Sequence, residues 1–278
     1  MLKTYKIAIS GQVQGVGFRP FVYCLSSEFS LNGTVSNNEE GVIIYITGLE
    51  DSVHKFYKKL LQFPPSVSQI KNSTIIQVEF KDFTGFKIIP STTKGNLNLP
   101  LTPDFAICED CKNDVENTKS RRHNYAFTTC VNCGPRWAIT KTFPFERSNT
   151  SMDDFPMCDD CKDEYTNPTN RRFHSQTNTC STCGIELILI TSEGKIIEIS
   201  KENIFQQVAK FLKEGNIIAL KNTSGYLLCC NAEDEKVIND LRVKKNRPNK
   251  PFAVLYPSME LLKKDINLTE EETKSLTS

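Results

Sequence analysis

The sequence predicts an α+β chain in three parts: a ferredoxin-like domain, a pair of zinc-ribbon-like tandem modules, and a further α/β region. Three observations point to this division. Residues 1–90 carry strand and helix patterns in the order β-α-β-β-α-β. Residues 105–185 have few apolar runs and hold eight of the eleven cysteines, all in CxxC pairs. From about residue 186 the apolar periodicity returns. With 278 residues, 38% of them apolar, the chain is long enough to build more than one core.

The elements follow in order. "KTYKIAIS" alternates apolar and polar residues over about 3–10, as a half-buried strand does, and a helix follows over about 18–30. Between them lies the glycine-rich "GQVQGVGFRP", residues 11–20. "NGTVSN" and "GVIIYIT" form a hairpin around "NNEEG". "SVHKFYKKLLQF" sets Val53, Phe56, Tyr57, Leu60 and Leu61 on one helical face and leaves His54 on the polar one. "TIIQVEF" and "FKII" supply late strands. Residues 91–104, rich in Pro, Gly, Thr and Asn, read as a linker. In the last part "NIFQQVAKFLKEG" reads as a helix with a glycine stop and "NIIALK" as a strand. "EDEKVINDLRVKKN" follows as a helix and "PFAVLY" as another strand. Cys24 falls on the inner side of the first helix, and Cys229 and Cys230 sit in an apolar stretch as small core residues.

A net charge of +1 gives no global field for a nucleic acid or an anionic membrane. No apolar run approaches the roughly 18 residues of a membrane-spanning helix, and the first residues lack the apolar core of a signal peptide. A cytoplasmic protein is expected, in which paired cysteines point to metal and not to disulfides.

The cysteine region is a duplication. "CEDCKNDVENTKSRRHNYAFTTCVNCG" (108–134) aligns without gaps on "CDDCKDEYTNPTNRRFHSQTNTCSTCG" (158–184), an offset of 50 residues throughout. Each copy is CxxC, eighteen residues, CxxC: Cys108, Cys111, Cys130 and Cys133, then Cys158, Cys161, Cys180 and Cys183. Two CxxC turns make a tetrahedral sulfur site, so about two structural zinc ions per chain are expected. Redox dithiols are the competing reading, but these rarely come duplicated with a second CxxC in register. Four thiolates leave no open coordination position, so the metal folds the segment and does no chemistry. The spacing leaves open whether each copy closes on itself or the pairs interleave. His123 and His174, near the RR pairs but out of register with one another, are read as non-ligands. Ile185 and Glu186 stand where the first copy has Pro135 and Arg136.

A loop running from a strand end into a helix start gathers backbone N–H groups beside the positive end of a helix dipole. Glycines let such a backbone curl, and the Arg19 guanidinium offers a planar fork for phosphate oxygens. On glycine content alone, a phosphate cradle and a plain turn with a surface arginine read equally well, since the loop is neither a Walker A motif nor GxGxxG.

"GQVQGVGFR" followed by "GTVSN" resembles the acylphosphatase signature, with matching element order over residues 1–90. That resemblance implies that Arg19 and the N–H groups of Gln14, Gly15, Val16, Gly17 and Phe18 hold a phosphoryl group, and that Asn37 positions the attacking water. The order of parts is similar to the HypF-type carbamoyltransferases of [NiFe] hydrogenase maturation. The motifs that carry it are "PDFAICEDC", "RRHNYAFTTCVNCGPR", "NTSMDDFPMCDDC" and "RRFHSQTNTCSTCG". The tail adds "IIALKNTSGYLLCCNA" and "LRVKKNRPNKPFAV", which resemble the start of that family's YrdC-like nucleotide-binding domain at residues 200–278. The resemblance implies carbamoyl phosphate or another acyl phosphate as substrate and ATP as co-substrate for a carbamoyl adenylate. It also implies a partner protein, HypE, whose cysteine receives the carbamoyl group. Lys245, Arg247 and Lys250 are the implied nucleotide contacts, although a basic run at a helix end also suits the helix dipole alone. The family's glycine-rich run after the lysine appears here as Lys221 to Gly225. Only part of the YrdC-like fold is present, so the expectation is an N-terminal fragment or truncated product unable to complete carbamoyl transfer. A non-catalytic zinc-binding scaffold or docking fragment is the rival reading.

Overall fold

The computed structural model describes residues 1–91, 105–200, 203–222 and 225–277, which form two compact units, Met1–Glu186 and Leu187–Ser278. Apart from Ser91, the expected linker lies outside the described residues, as do Thr223 and Ser224.

In the first unit the alternating pattern of residues 3–10 becomes strand β1 (Lys3–Gln12), whose Ile7 and Ile9 face inward. Helix α1 (Phe18–Glu28) follows, then the hairpin of β2 (Asn32–Asn38) and β3 (Gly41–Gly48). The hairpin turn is built by Asn38, whose Oδ1 accepts from the backbone N–H groups of Glu40 and Gly41. Helix α2 (Glu50–Gln62), strand β4 (Gln69–Val78) and the short β5 (Phe86–Ile88) complete the domain. The sheet order is β4-β1-β3-β2-β5, antiparallel except where β5 runs parallel to β2. Both helices pack on one face. Val22 and Leu25 of α1 and Val53, Phe56 and Leu60 of α2 bury against Ile7, Ile9, Val35, Ile44 and Ile46. His54 is exposed, as its place on the polar face implied. Cys24 does not point inward: it is exposed, because Val22, Leu25 and Ser26 take the buried positions of that turn.

Residues 105–186 are held by short pieces. Two eight-residue helices, α3 (Glu109–Glu116) and α4 (Asp159–Thr166), start inside the first CxxC of each copy. The remainder is single 3-10 turns and loops.

The second unit contains α5 (Ile204–Lys213), a two-stranded sheet of β6 (Ile218–Lys221) and β7 (Tyr226–Cys229), and α6 (Glu235–Lys244). Two further helices follow, α7 (Met259–Asp265) and α8 (Glu270–Leu276). Glycine at position 215, with φ of 81°, ends α5 as the sequence indicates. "PFAVLY" is not a strand: Pro251 lacks an N–H, Val254 and Leu255 are exposed, and no described strand pairs with it. Cys229 and Cys230 are only half-buried. No described helix is long and apolar enough to cross a membrane.

Candidate active site and metal centres

The glycine loop leaves β1 and enters α1 with Gly15 and Gly17 in the left-handed region, at φ of 71° and 74°. A Cβ at Gly15 would lie 2.8 Å from Pro135 Cβ, and one at Gly17 would lie 3.0 Å from Val131 Cβ. The first cysteine module therefore roofs the loop, and bare backbone is what lets it approach. This accounts for the departure from symmetry between the copies. Pro135 touches the loop, whereas the equivalent Ile185 turns its N–H to the Tyr125 hydroxyl. Gln14 ties the loop to the β2–β3 hairpin: its side-chain Nε2 donates to the carbonyls of Asn38 and Gly41, both at 2.7 Å.

Among the described residues, no protein acceptor meets the backbone N–H groups of Gln14, Gly15, Val16, Gly17 or Phe18. Phe18 begins α1, so these donors sit at the positive end of the helix. Arg19 and Asn37 line the same cleft as Gly15, Gly17 and Phe18. Its empty space is about 420 Å³, a figure that includes volume open to solvent. Asn37 is 1% exposed, and its Oδ1 is buried with no hydrogen-bond partner. A buried carbonyl left without a donor costs about 1–3 kcal/mol. It is the kind of orphan atom that a bound water or substrate would satisfy.

The other wall of the cleft was not read from the sequence. Val131, Gly134, His174, Ser175, Gln176 and Thr177 come from the cysteine modules, and Phe145 from the segment joining them. Arg19 Nη1 donates to Glu146 Oε1 at 2.7 Å. The His174 ring packs on Phe173 and Tyr165 with φ of 52°. Burial, reinforced by the Arg19 charge and opposed by Glu146, pushes its imidazole down to about 4, so it stands neutral near pH 7. For Glu146, burial works against ionisation, but the Ser91 hydrogen bond and the Arg19 charge hold the carboxyl below its usual range.

Each copy of the repeat gathers its own four sulfurs, all within 4.8 Å of one another: Cys108, Cys111, Cys130 and Cys133, and Cys158, Cys161, Cys180 and Cys183. Recorded Sγ–Sγ separations run from 3.6 to 3.9 Å. Tetrahedral zinc with bonds of about 2.3 Å would place sulfurs about 3.8 Å apart, so the two clusters fit two zinc ions. His123 is turned away, its Nδ1 3.1 Å from the Val115 carbonyl oxygen, and neither it nor His174 joins a sulfur set.

The copies grip each other reciprocally. Arg122 Nε donates to the Thr179 carbonyl at 3.0 Å, and its two Nη atoms make a forked pair with Glu164 at 2.9 and 2.6 Å. Fifty residues on, Arg172 Nε donates to the Thr129 carbonyl at 3.1 Å and Nη2 pairs with Asp114. Both arginines are nearly fully buried. Arg121 adds a donor 3.2 Å from the Cys161 sulfur, and Arg172 one 3.7 Å from Cys111. Such donors offset thiolate charge around a metal.

In the second unit Lys245 and Lys250 are exposed at the end of α6. Arg247 is partly committed, donating to the Pro251 carbonyl at 2.8 Å and lying over the Phe252 ring.

Residues 5–88 match the acylphosphatase family model, and residues 107–140 and 157–190 match the HypF finger. Residues 210–278 match the Sua5–YciO–YrdC family, described as telomere recombination. The carbamoyltransferase HypF of Synechocystis sp. is 44% identical over 259 residues, 93% of this chain and 34% of that protein. An acylphosphatase of Pseudothermotoga lettingae is 36% identical over 90 residues, 30% of this chain and 94% of that protein. A crystal structure of full-length HypF in the phosphate- and nucleotide-bound form superposes with a TM-score of 0.91 at 39% identity, covering 100% of this chain and 36% of that one. The chain spans 34 to 36% of the length of the first curated relatives it matches.

Proposed function

Because the chain belongs to the HypF-type carbamoyltransferase family, we propose that its first domain hydrolyses carbamoyl phosphate, or a related acyl phosphate, at the Arg19 loop. The observation that carries this reading is the meeting, in one cleft, of unpaired loop N–H groups, the Arg19 guanidinium and the orphaned Asn37 Oδ1. The N–H groups of Gln14 to Phe18 and the free edge of Arg19 hold the non-bridging phosphoryl oxygens. Asn37 Oδ1 accepts a hydrogen bond from a water and turns its lone pair toward phosphorus. Attack forms the new P–O bond as the P–O bond to the acyl oxygen breaks; carbamate leaves with the electron pair, and the water proton passes to an oxygen of the phosphate or of the departing carbamate. Phosphoryl transfer needs orientation and charge neutralisation more than covalent help, and fixed backbone dipoles supply both.

Beyond that step, the family reading assigns carbamate to ATP-dependent adenylation in the YrdC-like region, with Lys245, Arg247 and Lys250 as phosphate contacts. Transfer to a cysteine of a HypE-type partner would follow, for cyanide ligands of a hydrogenase iron. The two zinc ions, each held by four sulfurs, are structural in this scheme.

The test is phosphate release from carbamoyl phosphate and from a generic acyl phosphate. Arg19→Ala should abolish release with the fold intact, and Arg19→Lys should also be poor, because a point charge does not reproduce the planar fork. Asn37→Ala should keep phosphate binding and lose turnover. Equal turnover in the Arg19→Ala chain would remove the assignment, and no release by the unaltered chain from either substrate would favour a zinc-bearing scaffold.

A further inference from the structure

Arg19 reaches the glycine loop, but the loop alone does not hold it. Its side chain is about nine-tenths buried, and among the described residues its one hydrogen-bond partner is Glu146, from the segment joining the two cysteine modules. The same Glu146 oxygen also takes the Ser91 hydroxyl and, at 3.3 Å, the Ser91 N–H. The next residue, Arg147, is fixed in turn. Its guanidinium donates to the carbonyls of Gln176, Asn178 and Phe155, and its N–H donates to Gln176 Oε1 at 2.8 Å. Glu146 is therefore delivered to Arg19 from a braced backbone.

We propose that Glu146 is a positioning residue for acyl-phosphate hydrolysis, fixing the Arg19 guanidinium through one Nη so that its remaining edge faces the loop N–H groups. The inference rests on the Arg19 loop being the phosphoryl site. A carboxylate beside that site weakens anion binding by repulsion, so its benefit must lie in orientation. The geometry favours that role over competition with phosphate. Glu146 takes up one of the five donors of the fork, and the oxygen that accepts it is also held by the Ser91 hydroxyl and N–H, which keeps the carboxylate in place when an anion arrives. A small misplacement of the fork is enough to cost about a hundredfold in rate. In this arrangement the cysteine modules complete a site whose loop belongs to the first domain.

The test compares the unaltered 278-residue chain, loaded with zinc, with Glu146→Ala, Glu146→Gln and Arg19→Ala. The measurements are kcat and KM for carbamoyl phosphate, inorganic phosphate binding by 31P line width, and zinc content with a thermal melt. The alanine variant should lose at least about tenfold in kcat. The glutamine variant, whose amide oxygen still accepts from Nη1, should recover most of kcat and show a lower KM once the negative charge is gone. If Glu146→Ala fails to fold, the isosteric glutamine variant decides on its own by that split. The inference is overturned, with the phosphoryl site intact, if Glu146→Ala matches the unaltered chain while Arg19→Ala is dead. It is equally overturned if glutamine is no better than alanine, or if both bind phosphate more tightly and turn over faster. A chain that neither releases nor binds phosphate removes the site and the inference together.

Discussion

At the scale of single residues, the cleft combines a permanent cation, a carboxylate and an imidazole that stands neutral. His174 makes the pH behaviour predictable. Its unfolded value lies near 6.5 and its folded value near 4. Between those limits the unfolded chain binds more protons than the folded one, so stability falls as pH drops through that window and is insensitive to His174 above it. His174→Asn removes the titration and suits the left-handed backbone at that position. The expected outcome is a melting temperature that falls less between pH 6.5 and 4 in the asparagine variant than in the unaltered chain. Equal slopes would show that the imidazole is not held neutral by its surroundings. Arg19 and Asn37 could be singled out from the sequence because each belongs to a short local pattern. Glu146 and His174 could not, since they stand more than 120 residues from the loop and meet it only through the docking of one part on another.

Among elements, the two cysteine modules show how a segment with little secondary structure keeps its shape. Burial alone would raise the Glu164 carboxyl, but hydrogen bonds and charge from Arg122, with Arg121 and Arg172 nearby, hold it at about 2. Removing one partner of such a buried pair strands the other. Arg122→Ala is therefore expected to destabilise the first unit by about 3–5 kcal/mol, measured by chemical denaturation with zinc present. A change below about 0.5 kcal/mol would mean that metal alone holds the modules. The eight ligands were legible because spacing survives without knowledge of the fold, whereas their division into two sets was not, since spacing allows either partition. The strand and helix pattern of residues 1–90 was legible for a similar reason: its periodicity is local. "PFAVLY" misled because β-branched and aromatic residues make a strand only where a neighbouring edge accepts them. Helices α7 and α8 carried signals that periodicity overlooks. Ser258 caps the first, and Thr269 with Glu272 forms a capping box on the second.

For the first unit as a whole, the chemistry proposed for one part depends on metal held by another. Pro135 and Val131 roof the loop and His174 lines the cleft, all from the cysteine modules, while Glu146, from the segment joining them, pairs with Arg19. Stripping the metal with a strong chelator should release about two zinc ions per chain. Phosphate release should fall with it, while the sheet of residues 1–90 keeps its near-native circular dichroism. Activity that outlasts complete zinc loss would show that the loop works without its roof. The reciprocal arginine grip has a further consequence. Either module by itself would present a guanidinium pair and, on the same surface, the carboxylate made to receive one. Such a surface is self-complementary, so an isolated module would be driven to find its twin and associate about a two-fold axis. Within one polypeptide the tandem arrangement satisfies that demand internally, and the adhesive face is sealed before any other molecule can reach it.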